Sequence, residues 1–293
     1  MKLIAHYPGV TDTPTRKWSN WRENYLNDSL YYSYRDTLYN KETYPSMLHY
    51  HDYYELLIYV QGDIHYISEA QTYAPQRGDV ILVSPGKLHM SMLDKDETRY
   101  VRHVFYFYPN ALDAIGCAAL TDFAKREEEN ALTVFSPTER GELLALLDQM
   151  DTALDSGEGA ERALALSLLL RVFYEINRSR AQRRDGETLL PETVREIQQY
   201  IDENFTEIAS VSEVASHFYY SREYISRLFK QYFNTTVADY LRTRRVAYSR
   251  TLIAKGMPLS EVCFSAGFGN LSTFIRSFRA VTGMPPSAYR SLQ

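Results

Sequence analysis

The chain has 293 residues, 45% hydrophobic and 24% charged, with a formal net charge of −5. Those values exclude a disordered, collagen-like or fibrous chain and allow two ordinary domains with well-covered cores. The most apolar run, residues 163–170, is stopped by Arg171, and the opening MKLIAHYPGV lacks the apolar core of a secretory leader, so neither secretion nor a membrane partner is expected. Cys117 and Cys263 sit in separate helical patterns. They read as small buried hydrophobes of a reducing, cytoplasmic compartment rather than as a disulfide or metal pair. The charge is uneven. Residues 191–293 hold 12 basic and 9 acidic side chains, against 20 and 28 in the rest, so the basic excess lies where DNA phosphates would attract it.

Residues 1–40 are dense in aromatics, including Trp18, Trp21, Tyr25, Tyr31 and Tyr32. Pro14 and TRKWSN predict an irregular arm there, followed by short strands. Between residues 44 and 109, ELLIYVQGD, IHYIS, GDVILVSPG and YVRHVFYFYP are β-branched and aromatic runs between turn signals, which predicts an all-β domain. After Pro109 the period becomes helical. One helix is expected over 111–126, and another opens with Ser136 as N-cap, Pro137 at the first position and Glu139. A third is expected over 159–181, with Leu164, Leu168 and Val172 as a candidate dimer surface or, equally, a buried face. RAQRRDGETLLPE then reads as a linker, and all that follows from residue 191 is helical.

This last part contains a repeat. Ser212, Glu213 and Val214 recur 48 residues on as Ser260, Glu261 and Val262; beyond a turn the step becomes 49, matching Arg227 to Arg276, Phe229 to Phe278 and Tyr240 to Tyr289. Each unit is two short helices around a turn, with Ser221 as N-cap of the first unit's second helix and Gly267-Phe268-Gly269 turning the second. A long helix over 237–255, carrying Arg242, Arg244, Arg245 and Arg250, joins them. Two such hairpins at fixed register predict a pair of readers entering successive major grooves about 34 Å apart.

On SEVASHFYYSREYISRLFKQYF, DYLRTRRVAYSRTLI and SEVCFSAGFGNLSTFIRSFRAVTGMPPSAYR, residues 191–293 resemble the DNA-binding domain of the AraC/XylS family of transcription regulators. The resemblance implies base contacts from Glu223, Ser226 and Arg227 in the first unit and from Leu271, Ser272, Thr273 and Arg276 in the second. The chemistry suits several of these: arginine binds guanine bidentately, Ser and Thr bond several base edges, and Leu271 can touch only a thymine methyl. Arg222, Lys230, Arg244 and Arg279 are the candidate phosphate contacts. The resemblance also implies RNA polymerase and a second copy of the chain as partners.

Upstream, His49, His51, Glu55 and Gly62 form H-x-H-x3-E-x6-G, and a second block runs from Gly78-Asp79 to Pro85-Gly86-x2-His89. These resemble the two motifs of the cupin barrel, whose metal-binding members use such His and Glu residues, although six rather than five residues separate Gly78 from Pro85. Even steps place His49, His51 and Glu55 on one strand face. Two readings stand: a sensor pocket built from His49, His51, Glu55 and His89, or a metal site on the same four residues; no cofactor and no resident metal are expected. The expected fold is α+β and multidomain: a cupin-like barrel with an N-terminal arm over 1–110, a helical dimerisation region over 111–185, and an all-α domain with two helix-turn-helix units over 186–293. The expected function is a ligand-responsive transcription regulator on double-stranded DNA, an activator of carbohydrate-utilisation genes with a sugar as effector, and not an enzyme. A cupin metalloenzyme fused to a DNA-binding domain and a constitutive DNA-binding protein with a structural barrel are the alternatives.

Overall fold

A computed structural model describes residues 19–27, 29–40, 48–68, 71–128, 130, 132–137, 139–156, 159–179, 181–182 and 190–291, with 19–26 and 181–182 as backbone alone. Most of the expected arm, Trp18 included, lies outside these residues. Ten strands and ten helices follow in chain order among them. The strands are β1 (Ser19–Asn27), β2 (Leu30–Asn40), β3 (Tyr54–Gln61), β4 (Ile64–Ser68), β5 (Gln71–Tyr73), β6 (Val80–Val83), β7 (His89–Leu93), β8 (Glu97–Phe107), β9 (Leu132–Phe135) and β10 (Ala181–Gln182). The helices are α1 (Asp122–Arg126), α2 (Arg140–Ser156), α3 (Gly159–Arg178), α4 (Glu192–Asn204), α5 (Val211–His217), α6 (Arg222–Phe233), α7 (Val237–Ala254), α8 (Leu259–Ser265), α9 (Leu271–Thr282) and α10 (Pro286–Arg290).

The strands form two sheets: β1-β2-β8-β3-β6-β9-β10, and β5-β4-β7. The expected barrel is thus an open pair of sheets, tied near the cluster of histidines by an isolated antiparallel bridge between His49 and His89. The period-2 alternation explains the layering. On the large sheet Tyr32, Leu56, Ile58, Phe105 and Phe107 face one way and pack with Leu147, Leu169 and Phe173 of α2 and α3. Tyr31, Leu57, Tyr59, Val104 and Tyr106 face the other way and meet Ile64, Tyr66 and Leu93 of the small sheet in a second, tyrosine-rich core. The opposite face of the small sheet, through Ile67 and Met90 with Leu88 beside them, joins a third core with Val194, Ile197, Ile201, Phe229 and Tyr240. The sensor sheet and the first helical unit therefore share one apolar core.

Three local expectations are corrected. Residues 111–126 hold two 3-10 turns, Asp113–Ile115 and Ala118–Thr121, before the short α1 rather than one helix; Gly116 takes a positive φ of 72° and closes the first turn. Ser136 does not open a helix: its hydroxyl donates to Asp79 Oδ1 at 2.9 Å, and α2 begins at Arg140. β9 lies within the expected helical region and pairs with β6 in the large sheet. Among the described residues no helix is long and apolar enough to cross a membrane.

Candidate DNA-reading surface and effector site

The repeat folds as two matched units. α5 and α8 have seven residues each, and α6 and α9 have twelve each. The inserted residue lies in the turn, as 48 becomes 49. Each second helix starts on a side-chain cap: Ser221 Oγ accepts from Tyr224 N at 3.1 Å, and Asn270 Oδ1 accepts from Thr273 N at 2.8 Å. The inward faces are closed by Ile225, Phe229 and Phe233 in the first unit and by Phe274 and Phe278 in the second. α7 spans both. Arg245 of α7 donates from Nε to Phe205 O at 2.7 Å and from Nη2 to Ile208 O, so the 205–208 loop is held between the units.

Amphipathic packing leaves the faces expected to read bases exposed to solvent. Glu223, Arg227, Leu271, Ser272 and Arg276 are exposed, and Ser226 and Thr273 are half-buried. Arg227 lies over the Tyr224 ring at 5.5 Å, and Arg276 Nη2 lies 3.5 Å from Thr273 Oγ1. Arg222, Lys230 and Arg279 are exposed beside them. Arg244, the remaining candidate phosphate contact, has its Nε 2.8 Å from Asp202 Oδ1 with only 13% of the side chain exposed, which braces α7 against α4. A groove lined by Leu241, Arg242, Phe268, Thr273 and Arg276 brings Arg242 beside the second reading helix. The sequence named Arg242 as a charge of the joining helix without a role; only the crossing of α7 and α9 reveals its place.

In the β-domain the four motif residues meet. The His49 and His89 ring centroids are 4.2 Å apart and those of His51 and His89 4.8 Å. His51 Nδ1 lies 2.7 Å from Tyr53 O and His89 Nδ1 lies 2.9 Å from Lys87 O. A carbonyl only accepts, so both Nδ1 atoms carry the proton and both Nε2 atoms point inward. They converge on Glu55 Oε2, at 3.2 Å from His51 and 3.5 Å from His89. Tyr66 donates to the other oxygen, Oε1, at 2.8 Å. Burial pushes the Glu55 carboxyl up, but the two histidines outweigh it and hold the group well below the usual carboxylate range. Burial lowers His51, with Glu55 pulling the other way. Two ring lone pairs facing one carboxylate oxygen repel it unless a cation sits between them, either a proton on one Nε2 or a metal ion.

The donor set fits a metal. His49, Glu55 and His89 offer ligand atoms within 4.8 Å of one another, with His51 adjacent. Imidazole and carboxylate suit divalent transition metals, and Nδ1–H donation to a carbonyl is the usual support for an Nε2 ligand. Such an ion would supply a fixed positive charge among the sheets and positions open to a ligand's oxygens. Arg99 forms two hydrogen bonds to Asp36, at 2.8 and 2.7 Å.

An exposed pair of capped reading helices behind a buried His/Glu site in a two-sheet domain defines a transcription regulator with a ligand-binding domain and a helix-turn-helix DNA-binding domain. Residues 37–173 match the family model described as AraC-like ligand binding domain, and residues 214–291 match a helix-turn-helix domain model. The chain belongs to the AraC family of transcription regulators. It is similar to an uncharacterised HTH-type transcriptional regulator of Bacillus subtilis, 25% identical over 261 residues, 85% of this chain and 80% of that one. The arabinose operon regulatory protein of Salmonella typhimurium is 26% identical over 249 residues, 81% of this chain and 83% of that one. Among solved structures, the C-terminal domain of AraT, a response regulator from Geobacillus stearothermophilus, is 25% identical, covers 36% of this chain and 88% of that one, and has a TM-score of 0.34.

Proposed function

We propose that this regulator is a cytoplasmic homodimer that activates transcription by RNA polymerase when a small molecule occupies the His49–His51–Glu55–His89 region, that its genes serve carbohydrate utilisation, and that it catalyses no reaction. The observation that carries the reading is the pairing of two solvent-facing reading helices with a ligand-binding domain whose polar cluster is sealed: His51, Glu55 and His89 are all buried. Relatives named for the arabinose operon support a sugar effector, as does the tyrosine-rich core beside the cluster.

The test is sequence-specific DNA binding by the full chain at fixed salt. Arg227→Ala and Arg276→Ala should each lose about 1–3 kcal/mol of discrimination against a mismatched base in their own half of the site. Lys230→Ala should instead weaken all sequences alike and lower the salt slope. Retention of full discrimination by both arginine variants would overturn the reading-helix assignment. An affinity that no sugar alters would leave a constitutive DNA-binding protein.

A further inference from the structure

The segment at residues 48–52 runs between the His/Glu cluster and the DNA-binding domain, and its side chains alternate. His49 and His51 turn toward Glu55 and His89. Tyr50 and Asp52 turn the other way, onto α7. Asp52 Oδ2 lies 2.6 Å from Arg250 Nη2. The Arg250 guanidinium is stacked between Tyr50, at 5.1 Å, and Tyr289 of α10, at 4.9 Å. Tyr50 packs against both the core of the first helix-turn-helix unit and that of the second. One five-residue segment thus carries two ligand atoms on one side and a clasp on both reading units on the other.

We propose that a divalent transition-metal ion held by His49, Glu55 and His89, with His51, is read by the DNA-binding domain through this segment: loading the site loosens the Tyr50–Asp52 clasp on Arg250. The proposal rests on the reading of this cluster as the effector site. An ion bound by three or four protein donors leaves positions for an effector's oxygens at the same place. The physical step is a contraction. The three donor atoms now lie up to 4.8 Å apart, whereas metal–nitrogen bonds of about 2.0–2.1 Å bring ligand atoms to within roughly 3.3 Å of one another. His49 and His89 are bonded to each other through both backbone pairs, N to O at 3.0 and 2.9 Å. With that backbone pair as a pivot, drawing the rings together turns the 48–52 segment and shifts Tyr50 and Asp52, on its other side, against α7. A shift of that kind lengthens and weakens the 2.6 Å ion pair between Asp52 and Arg250. The clasp does not cover the reading faces, which are exposed while it is closed. It fixes how the two units are set against the β-domain, and its release lets them settle on successive grooves.

The experiment titrates the full chain with Co2+ alone and follows two signals: the visible absorption of bound Co2+ and the affinity for a selected DNA site. The expected result is one Co2+ per chain and a DNA affinity raised about fivefold or more, within the usual range of coupling between sites. By reciprocity, DNA must tighten Co2+ by the same factor. Asp52→Asn should still bind Co2+ but show the raised affinity without metal and no further response. His89→Ala should lose the Co2+ signal and, with it, any Co2+-dependent change in DNA affinity. Absence of stoichiometric Co2+ binding overturns the proposal, as does Co2+ binding that leaves DNA affinity unchanged in the unaltered protein. In either case intact sequence-specific DNA binding would leave the regulator reading standing, whereas its loss would sink that reading separately.

Discussion

Tyr219 and Gly267 occupy the same place in the two units, 48 residues apart, and both have positive φ, 57° and 82°. Glycine takes that conformation without cost; a tyrosine there is strained by about 1–2 kcal/mol. Tyr219 is also 95% exposed, so no packing repays the strain. Tyr219→Gly should therefore raise the stability of the DNA-binding domain by about 1 kcal/mol, read as an upward shift of its thermal midpoint. The converse change has the opposite sign. A Cβ at Gly267 would lie 2.5 Å from Thr206 O, a backbone atom of the loop between α4 and α5, so Gly267→Ala should destabilise and disturb how the second unit meets that loop. The turn was legible from Gly267-Phe268-Gly269 and the extra residue; the strained tyrosine was not, because spacing carries no φ. Arg244 shows the same limit. Helical spacing alone cannot reveal that Asp202, on another helix, reaches its guanidinium.

At the level of elements, alternation was read best: the strands over 54–107 follow the β-branched runs. Capping divided, since Ser221 caps α6 as expected, Ser136 opens no helix, and the cap at Asn270 was not foreseen. The four-residue β9 was missed because LTVF is too short to show a period. The face assigned to dimerisation divides on α3: Leu164 is 47% exposed, whereas Val172 is fully buried against the large sheet. Leu164→Glu, alone or with Tyr174→Glu, should dissociate a dimer without unfolding the chain, as light scattering would report. Val172→Glu should unfold it, since an unpaired carboxylate would enter the core. The large sheet is further fastened to α2 by a buried triad. Tyr32 donates to Asp151 Oδ1 at 2.5 Å, and His103 Nδ1 lies 2.7 Å from the same hydroxyl. Asp151→Ala leaves both partners buried and should cost about 2–3 kcal/mol in urea unfolding.

In the whole molecule, the contact between domains has its own pH signature. Burial, opposed by Arg250, pushes the Tyr50 hydroxyl up to about 12 from an ordinary 10. Because the folded value is the higher one, its contribution is complete below pH 10 and is lost as pH rises from 10 to 12. The domain contact should therefore weaken over that window, and Tyr50→Phe should remove this component; hydrogen exchange at residues 48–52 and in α7 would show it. Tyr54 is raised to about 12 as well, so the difference between Tyr50→Phe and the unaltered chain is the informative quantity. The change of period in the sequence distinguishes a β-rich N-terminal part from a helical C-terminal part, but the contact between them was out of reach. Ile67, Leu88 and Met90 look like ordinary strand residues, and only the fold shows that the small sheet turns them toward helices more than a hundred residues away.

That shared core bears on how the protein can be divided. Ile67, Leu88 and Met90 are at most 2% exposed in the full chain. A fragment ending before α4 would present them to water as one apolar patch beside Tyr50, the kind of surface through which proteins self-associate. The β-domain prepared alone is accordingly expected to be poorly soluble, and Met90→Lys should improve the fragment's solubility while weakening the intact protein.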